Sequence, residues 1–312
     1  VTEFAIAVQS INEIINIKEP WNSLPQLNQV EQEMQQLFFE EWEKVFSKYK
    51  KPTRIYFGSE FCQYRLMPLS VVKRALDYCW TNGFEFTFAT PYVHGAKYEK
   101  LVEILFFLNK TAEETGKTIE VVVNDWGIFH ITQKKHPHLK IAVGRLLNKN
   151  IRDPRVANFY NDERAPEKGK QFFKQSGLLS QNFSKFLSKG NLASIEFDEL
   201  IQGYEWPDEV ENSYTTTFHY PFGTVASGSA CMVGFMDSEK KDKFRGDPNC
   251  TQQCQKYVFE LKNRMIPEMD TGIYQKGNTA FYTYKKEMIQ KGLQQINEMK
   301  NSRVVYSLRI PV

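Results

Sequence analysis

Short apolar runs alternate with longer stretches in which apolar residues recur every three or four positions, the pattern of buried strands followed by amphipathic helices. The first run is Phe4-Ala-Ile-Ala-Val8, followed by a helix rich in Glu and Gln over 29–48. Arg54-Ile-Tyr-Phe57 precedes a helix over 68–80, and Glu85-Phe-Thr-Phe-Ala89 precedes one over 97–115. Ile119–Val123, Lys140–Val143, Ala193–Phe197 and Tyr214–Phe218 continue the series, and Val304–Leu308 closes it behind an amphipathic helix over 285–299. Buried strands separated by helices predict a parallel sheet, and eight of them predict closure into a TIM-barrel-like (β/α)8 fold of the α/β class.

Two stretches interrupt the series: a polar, Pro-containing region over 148–174, and the region 231–282 between the seventh and eighth strands. Connections of this length in compact domains are functional or carry structure of their own. In the second, Tyr257–Leu261 and Thr279–Thr283 read as a small antiparallel excursion. The expectation is a single barrel-like domain over 1–312 with an insertion over 231–282.

The 312 residues are 41% hydrophobic, enough to bury one large core without disulfides. A net charge of +3 lacks the concentrated basic field of a dedicated nucleic-acid binder, so RNA is weakly supported as a partner. The basic runs over 48–51 and 240–243 read as solvated surface. No run approaches the roughly 18 apolar residues that span a bilayer, and the start lacks the basic flank and apolar core of a signal peptide. A cytoplasmic chain without a membrane anchor is expected, and the missing initiator methionine points to a trimmed start.

Cytosolic thiols stay reduced, so the positions of the five cysteines matter more than their number. Cys250-Thr-Gln-Gln-Cys254 sets two thiols four residues apart, Cys231 follows the flexible Ser227-Gly-Ser-Ala, and Cys62 lies just past the second strand. The loops after strands two and seven open on the same C-terminal face of a barrel, where all four thiols can converge. Cys79, among Ala75, Leu76 and Trp80 of a helix, reads as a small buried apolar residue. Four thiolates serve zinc or an iron–sulfur cluster. One close pair with two singly placed partners suits a 4Fe-4S cluster built across a fold better than the paired knuckles of structural zinc, but spacing leaves zinc and unconnected cysteines open.

Several segments resemble the collagenase-like peptidase family (peptidase family U-thirty-two), and within it the iron–sulfur branch of UbiV and UbiU. Ile55-Tyr-Phe-Gly-Ser-Glu-Phe-Cys62 is similar to that branch's strand, glycine, glutamate and first cluster cysteine. Val123-Asn-Asp-Trp-Gly127 and Val143-Gly-Arg-Leu-Leu-Asn148 resemble its fourth- and fifth-strand motifs. Phe218-His-Tyr-Pro221, then Cys231, then Cys250-x3-Cys254 form the most specific match, and Lys276-Gly-Asn278 and Ser307-Leu-Arg309 resemble its late segments. The chain departs from the branch in the longer gap from Cys231 to Cys250 and in Gln63-Tyr64 where a basic pair follows the first cysteine. The resemblance implies a barrel carrying a 4Fe-4S cluster, a part in oxygen-independent hydroxylation or a related oxygen or sulfur transfer on a small molecule or RNA base, and a related barrel subunit as heterodimer partner. Complete thiolate ligation makes an electron-transfer or structural role the alternative to direct catalysis.

Other candidates follow from position at strand ends. Asn124, Asp125, Arg145 and Asn148 would ring the mouth, with Asp125 and Arg145 either catalytic or a rim ion pair. Arg65, Arg145 and Arg309 are the groups suited to gripping an anionic small molecule. His219 would donate a proton or bond a cluster sulfide, or else order a loop. His136 and His138 read as a solvated turn before a metal pair. A peptidase is a further alternative, but no H-E-x-x-H helix or G-x-S-x-G elbow occurs, and Cys62 with His219 is the one pair that could act as nucleophile and base.

Overall fold

The computed structural model describes residues 2–17, 27–47, 50–160, 162–187, 190–206, 214–236, 239, 250–262 and 271–312. Eight parallel strands close a barrel: β1 (Glu3–Val8), β2 (Arg54–Gly58), β3 (Glu85–Ala89), β4 (Ile119–Val123), β5 (Lys140–Val143), β6 (Leu192–Asp198), β7 (Thr215–Tyr220) and, last in the chain, β12 (Ser302–Ser307). The seam is the parallel pairing of β1 with β12, which sets Phe4 opposite Val304. A second, antiparallel sheet in the order β8-β11-β10-β9 is inserted between β7 and β12, from β8 (Phe222–Ser227), β9 (Phe259–Glu260), β10 (Ile273–Lys276) and β11 (Thr279–Thr283). The expected excursion is therefore present but paired differently. β9 bonds β10, and β11 bonds β8 and β10, so 257–261 and 279–283 are not direct neighbours.

The helices are α1 (Ile11–Ile15), α2 (Gln29–Val45), α3 (Leu69–Thr81), α4 (Ala96–Thr115), α5 (Trp126–Lys135), α6 (Ala157–Tyr160), α7 (Glu167–Lys174), α8 (Gln181–Leu187) and α9 (Lys286–Glu298). Among the described residues none is long and apolar enough to cross a membrane. Residues 48–49 and 240–243 of the two basic runs lie outside the described residues.

Each barrel strand is buried on both faces, which is why it reads as a nearly continuous apolar run. The outward residues Phe4, Ile6, Ile55, Phe57, Phe86, Phe88, Val121 and Val304 pack under the helices. Phe38 of α2 stacks on Tyr306 at 4.9 Å between ring centroids, and Trp42 lies 4.5 Å from Phe4. A different set, Ala5, Tyr56, Ala89, Val122, Ala142 and Val305, packs together as an inner layer. Toward the strand starts the filling is charged. Arg303 of β12 donates to Glu120 of β4 at 2.8 and 3.0 Å and to Glu3 of β1 at 2.6 Å, while Arg54 of β2 donates to Glu3 at 2.8 Å. β12 and β4 are not neighbours in the sheet, so these bonds cross the barrel interior.

Candidate metal centre at the barrel mouth

The chain leaves β2 through Gly58, at φ +133°, where a Cβ would stand 2.3 Å from the Ala89 carbonyl oxygen. Only glycine passes there. Ser59 then fixes the turn, its hydroxyl accepting the Cys62 N–H at 3.2 Å and donating to the Val312 carbonyl at 2.8 Å. The other thiols are drawn to this turn by two side chains. Gln252, midway between Cys250 and Cys254, adopts a left-handed conformation with φ 56° and ψ 40°. Its amide donates to the Tyr64 carbonyl at 3.0 Å and accepts from Arg65 at 2.9 Å, while its own backbone N–H points at the Cys250 Sγ at 3.4 Å. Asn278, in the turn between β10 and β11, donates to the carbonyls of Phe61 and Gly228, each at 2.7 Å. That single side chain spans from the residue before Cys62 to the segment leading into Cys231. The adjoining Gly277, at φ +62°, brings backbone against Cys254, whose Cβ would lie 3.4 Å from a Cβ placed there.

The four thiols meet in consequence. Cys62 and Cys254 pack with Val233 and Val312, and Cys231 and Tyr64 border them. All four are free thiols, Cys231 and Cys250 partly exposed. Burial pushes the Cys62 thiol up to about 11; the backbone N–H of Tyr64 opposes this, and the neighbouring Cys254, Cys231 and Cys250 add to it. Burial also raises Cys231, opposed by the N–H groups of Gly234 and Val233, the former 3.2 Å from its Sγ. Positive charge stands close by. Burial lowers Arg65 and Lys276 from their ordinary values, and thiolate character at Cys254 opposes the loss in both. The Cys62 and Cys231 thiols are held back from ionising chiefly by desolvation, which a bound cation reverses. Cys79, by contrast, is fully buried in α3, as expected of a packing residue.

Below the thiols, toward the barrel interior, lies a second polar cluster. Arg145 grips Glu60 in a bidentate fork at 2.7 and 3.1 Å and Asp198 at 2.7 Å, and Arg152 takes the second Asp198 oxygen at 2.9 Å. Burial weakens the hold of Arg145 on its proton, but Glu60 and Asp198 outweigh this and raise it above its ordinary value. Of the two alternatives for Asp125 and Arg145, the rim ion pair is not formed: Arg145 is taken by carboxylates buried on the loop after β2 and at the end of β6. His219 is fully buried inside the barrel, its Nε2 2.9 Å from Glu196. Burial, with Arg145 adding to it, drives His219 down to about 3, and burial raises Glu196 to about 7. His219 thus pairs with Glu196 and not with Cys62.

The remaining candidates have structural occupations. Asp125 caps α5, accepting the N–H groups of Gly127 and Ile128 at 2.6 and 3.1 Å. Asn124 ties the loops after β3 and β5 together through Thr90 and Leu146, and Asn148 accepts from Ser176 at 2.8 Å. Arg309 donates to Glu13 at 2.8 Å. His136 is buried at the end of α5, whereas His138 is exposed and 3.5 Å from Glu113, so the two histidines form no pair. Sequence reasoning missed Glu60, Glu196, Asp198 and Arg152. Glu60 was visible only as the glutamate of the Ile55–Cys62 motif, and the signal for Glu196 and Asp198 was their spacing of two at the end of a run otherwise read as apolar.

No family model and no curated protein matches this chain. Among solved structures, the crystal structure of the Bacillus megaterium QM B1551 spore cortex-lytic enzyme SleL aligns over 98% of this chain and 70% of its own, at 11% identity and a TM-score of 0.28.

Proposed function

We propose that this chain is a cytoplasmic iron–sulfur protein, holding a 4Fe-4S cluster on Cys62, Cys231, Cys250 and Cys254 and taking part in an oxygen-independent hydroxylation or related oxygen or sulfur transfer. The observation that carries this reading is the convergence of four thiols from remote parts of the sequence, clamped by Gln252 and Asn278. The motif resemblance to the collagenase-like peptidase family and its UbiV/UbiU branch is part of the same proposal, and supplies the reaction class.

The residues fit such a group. Backbone N–H groups aimed at sulfur favour thiolates and tune a cluster's potential. A single zinc with arms of about 2.3 Å asks for thiolates roughly 3.8 Å apart. Among the described residues, the grouping with three His, Cys, Asp or Glu ligand atoms within 4.8 Å of one another is Glu60, Glu196 and His219, and contains no cysteine. That, among the described residues, no three of the thiols form such a grouping favours a larger cluster over a single zinc. Bound there, a 4Fe-4S cluster supplies one-electron transfer. This chain's own part is to exclude water with Val233 and Val312 and to set Arg65 and Lys276 beside the thiolates.

A second reading, a non-catalytic cluster subunit paired with a related barrel protein, is favoured by one feature. The cavity beside the Cys62 turn, bordered by Tyr56, Glu60, Pro311 and Val312, measures about 20 Å³, room for about one water, whereas the cavity of about 560 Å³ lined by Lys149, Phe172 and Trp206 is lined by none of the four cysteines. In that reading the small-molecule or RNA-base substrate reacts on the partner chain. Anaerobic purification separates the readings: full activity of the lone chain supports the first, and co-purification with a second barrel that restores activity supports the second. For both, a brown protein with a dithionite-reducible EPR signal that Cys62→Ser abolishes is expected; a colourless zinc protein overturns them.

A further inference from the structure

We propose that Glu60, Glu196 and His219 form a binding site for a first-row divalent cation inside the barrel mouth, separate from the four thiols. One ligand atom from each of these three buried residues lies within 4.8 Å of the others. Glu60 comes from the loop after β2, Glu196 from β6 and His219 from β7, so three parts of the barrel aim at one point. Ligand atoms around a cation with arms of about 2.1 Å stand roughly 3.0 Å apart when adjacent and 4.2 Å apart when opposite. The spacing within 4.8 Å is close to that range, with His219 Nε2 2.9 Å from Glu196 on one side of the ring and Nδ1 4.0 Å from Glu60 on the other.

Two buried atoms of the cluster lack a hydrogen-bond partner: Nδ1 of His219 and Oε1 of Glu196. Both residues are 0% exposed, and orphaned acceptors at that depth are rare because desolvation makes them costly. A cation held by Glu60, Glu196 and one ring nitrogen of His219 gives the Glu196 carboxylate the partner it lacks. Arg145 uses one lone pair on each Glu60 oxygen and leaves the others available. The cavity of about 20 Å³ bordered by Glu60 and Tyr56 provides room for a water on the cation's open side. Two carboxylates and one imidazole suit Mn(II), Fe(II) or Zn(II) better than a soft-metal site would.

The test uses Mn(II) with full-length protein carrying its native metal content, after dialysis against a chelator too weak to strip thiolate-bound iron. Mn(II) EPR titration is expected to show one bound ion per chain, and anomalous diffraction from a Mn(II)-soaked crystal is expected to place it between Glu60, Glu196 and His219. Glu196→Gln and His219→Ala should each weaken binding at least tenfold while iron content and far-UV circular dichroism stay unchanged. A wild-type protein that binds no Mn(II), or an anomalous peak elsewhere, overturns the proposal whether or not the variants fold. The cluster assignment is unaffected by that result, because iron and sulfide are measured separately.

Discussion

Glu199 shows how much a single buried carboxyl weighs on this fold. It sits against α9, where the Tyr220 hydroxyl donates to its carboxylate and a Cβ on Gly292 would stand 2.3 Å from its Oε1. Burial raises its pKa from 4.5 to about 7, only partly opposed by the hydrogen bond from Tyr220. Below pH 4.5 both folded and unfolded chains hold the proton, and the group has no effect. As pH rises toward 7 the unfolded chain releases its proton while the folded one keeps it, so stability falls, and the penalty is complete above about 7. Its size is roughly 3 kcal/mol. Glu199→Gln should therefore gain about that much relative to the native chain between pH 4 and pH 8 in urea unfolding; a difference independent of pH would contradict the assignment. Gln252 acts on the site instead. Its two side-chain bonds contribute about 1–3 kcal/mol to holding the 250–254 loop on the 62–65 turn. Gln252→Ala should speed bleaching of the cluster by a chelator several-fold, and an unchanged rate would show that the loop is held by other contacts. None of this was legible in the sequence, where Gln252 is one of two glutamines in a polar loop; its role depends on a backbone conformation that residue type does not announce.

Helix α2 begins in a reciprocal capping box, the Asn28 side chain accepting the Glu31 N–H at 2.9 Å while Glu31 accepts the Asn28 N–H at 3.2 Å. Glu31 also lies 3.6 Å from the buried Lys276 and accepts the Ile310 N–H at 3.0 Å. The two caps should therefore differ. Asn28→Ala is expected to cost about 1 kcal/mol. Glu31→Ala should cost roughly 3 kcal/mol, because it leaves a buried ammonium without its carboxylate. Equal losses on denaturant unfolding would mean that Lys276 is satisfied by the Ile310 carbonyl alone, to which it donates at 2.7 Å. The long elements were readable because packing on both faces makes barrel strands continuously apolar, and predicted strands such as Glu85–Ala89 and Ile119–Val123 match to the residue. β8 was not readable. Gly223 within it carries no side chain so that the Tyr282 ring can lie across it, which erases the apolar run a strand would otherwise show.

Across the whole molecule, the barrel is less apolar than its strands imply. Ion pairs link Glu3, Arg54, Glu120 and Arg303 toward the strand starts, and Glu60, Arg145, Arg152 and Asp198 form a second set nearer the thiols. Such networks hold the strands in register but return little net stability, since each charge is desolvated before it is paired. The cysteines were legible as candidates because thiol chemistry is tied to residue type and because loops after strands two and seven share a barrel face. The acids beneath them were not, because their partners come from strands far apart in sequence. The four thiols act, in the proposed function, as one ligand set. Iron and acid-labile sulfide per chain, measured on anaerobically purified protein, should approach four of each, stay near four in Cys79→Ala and collapse in Cys250→Ala; iron absent from the native chain, or unchanged in Cys250→Ala, would contradict it.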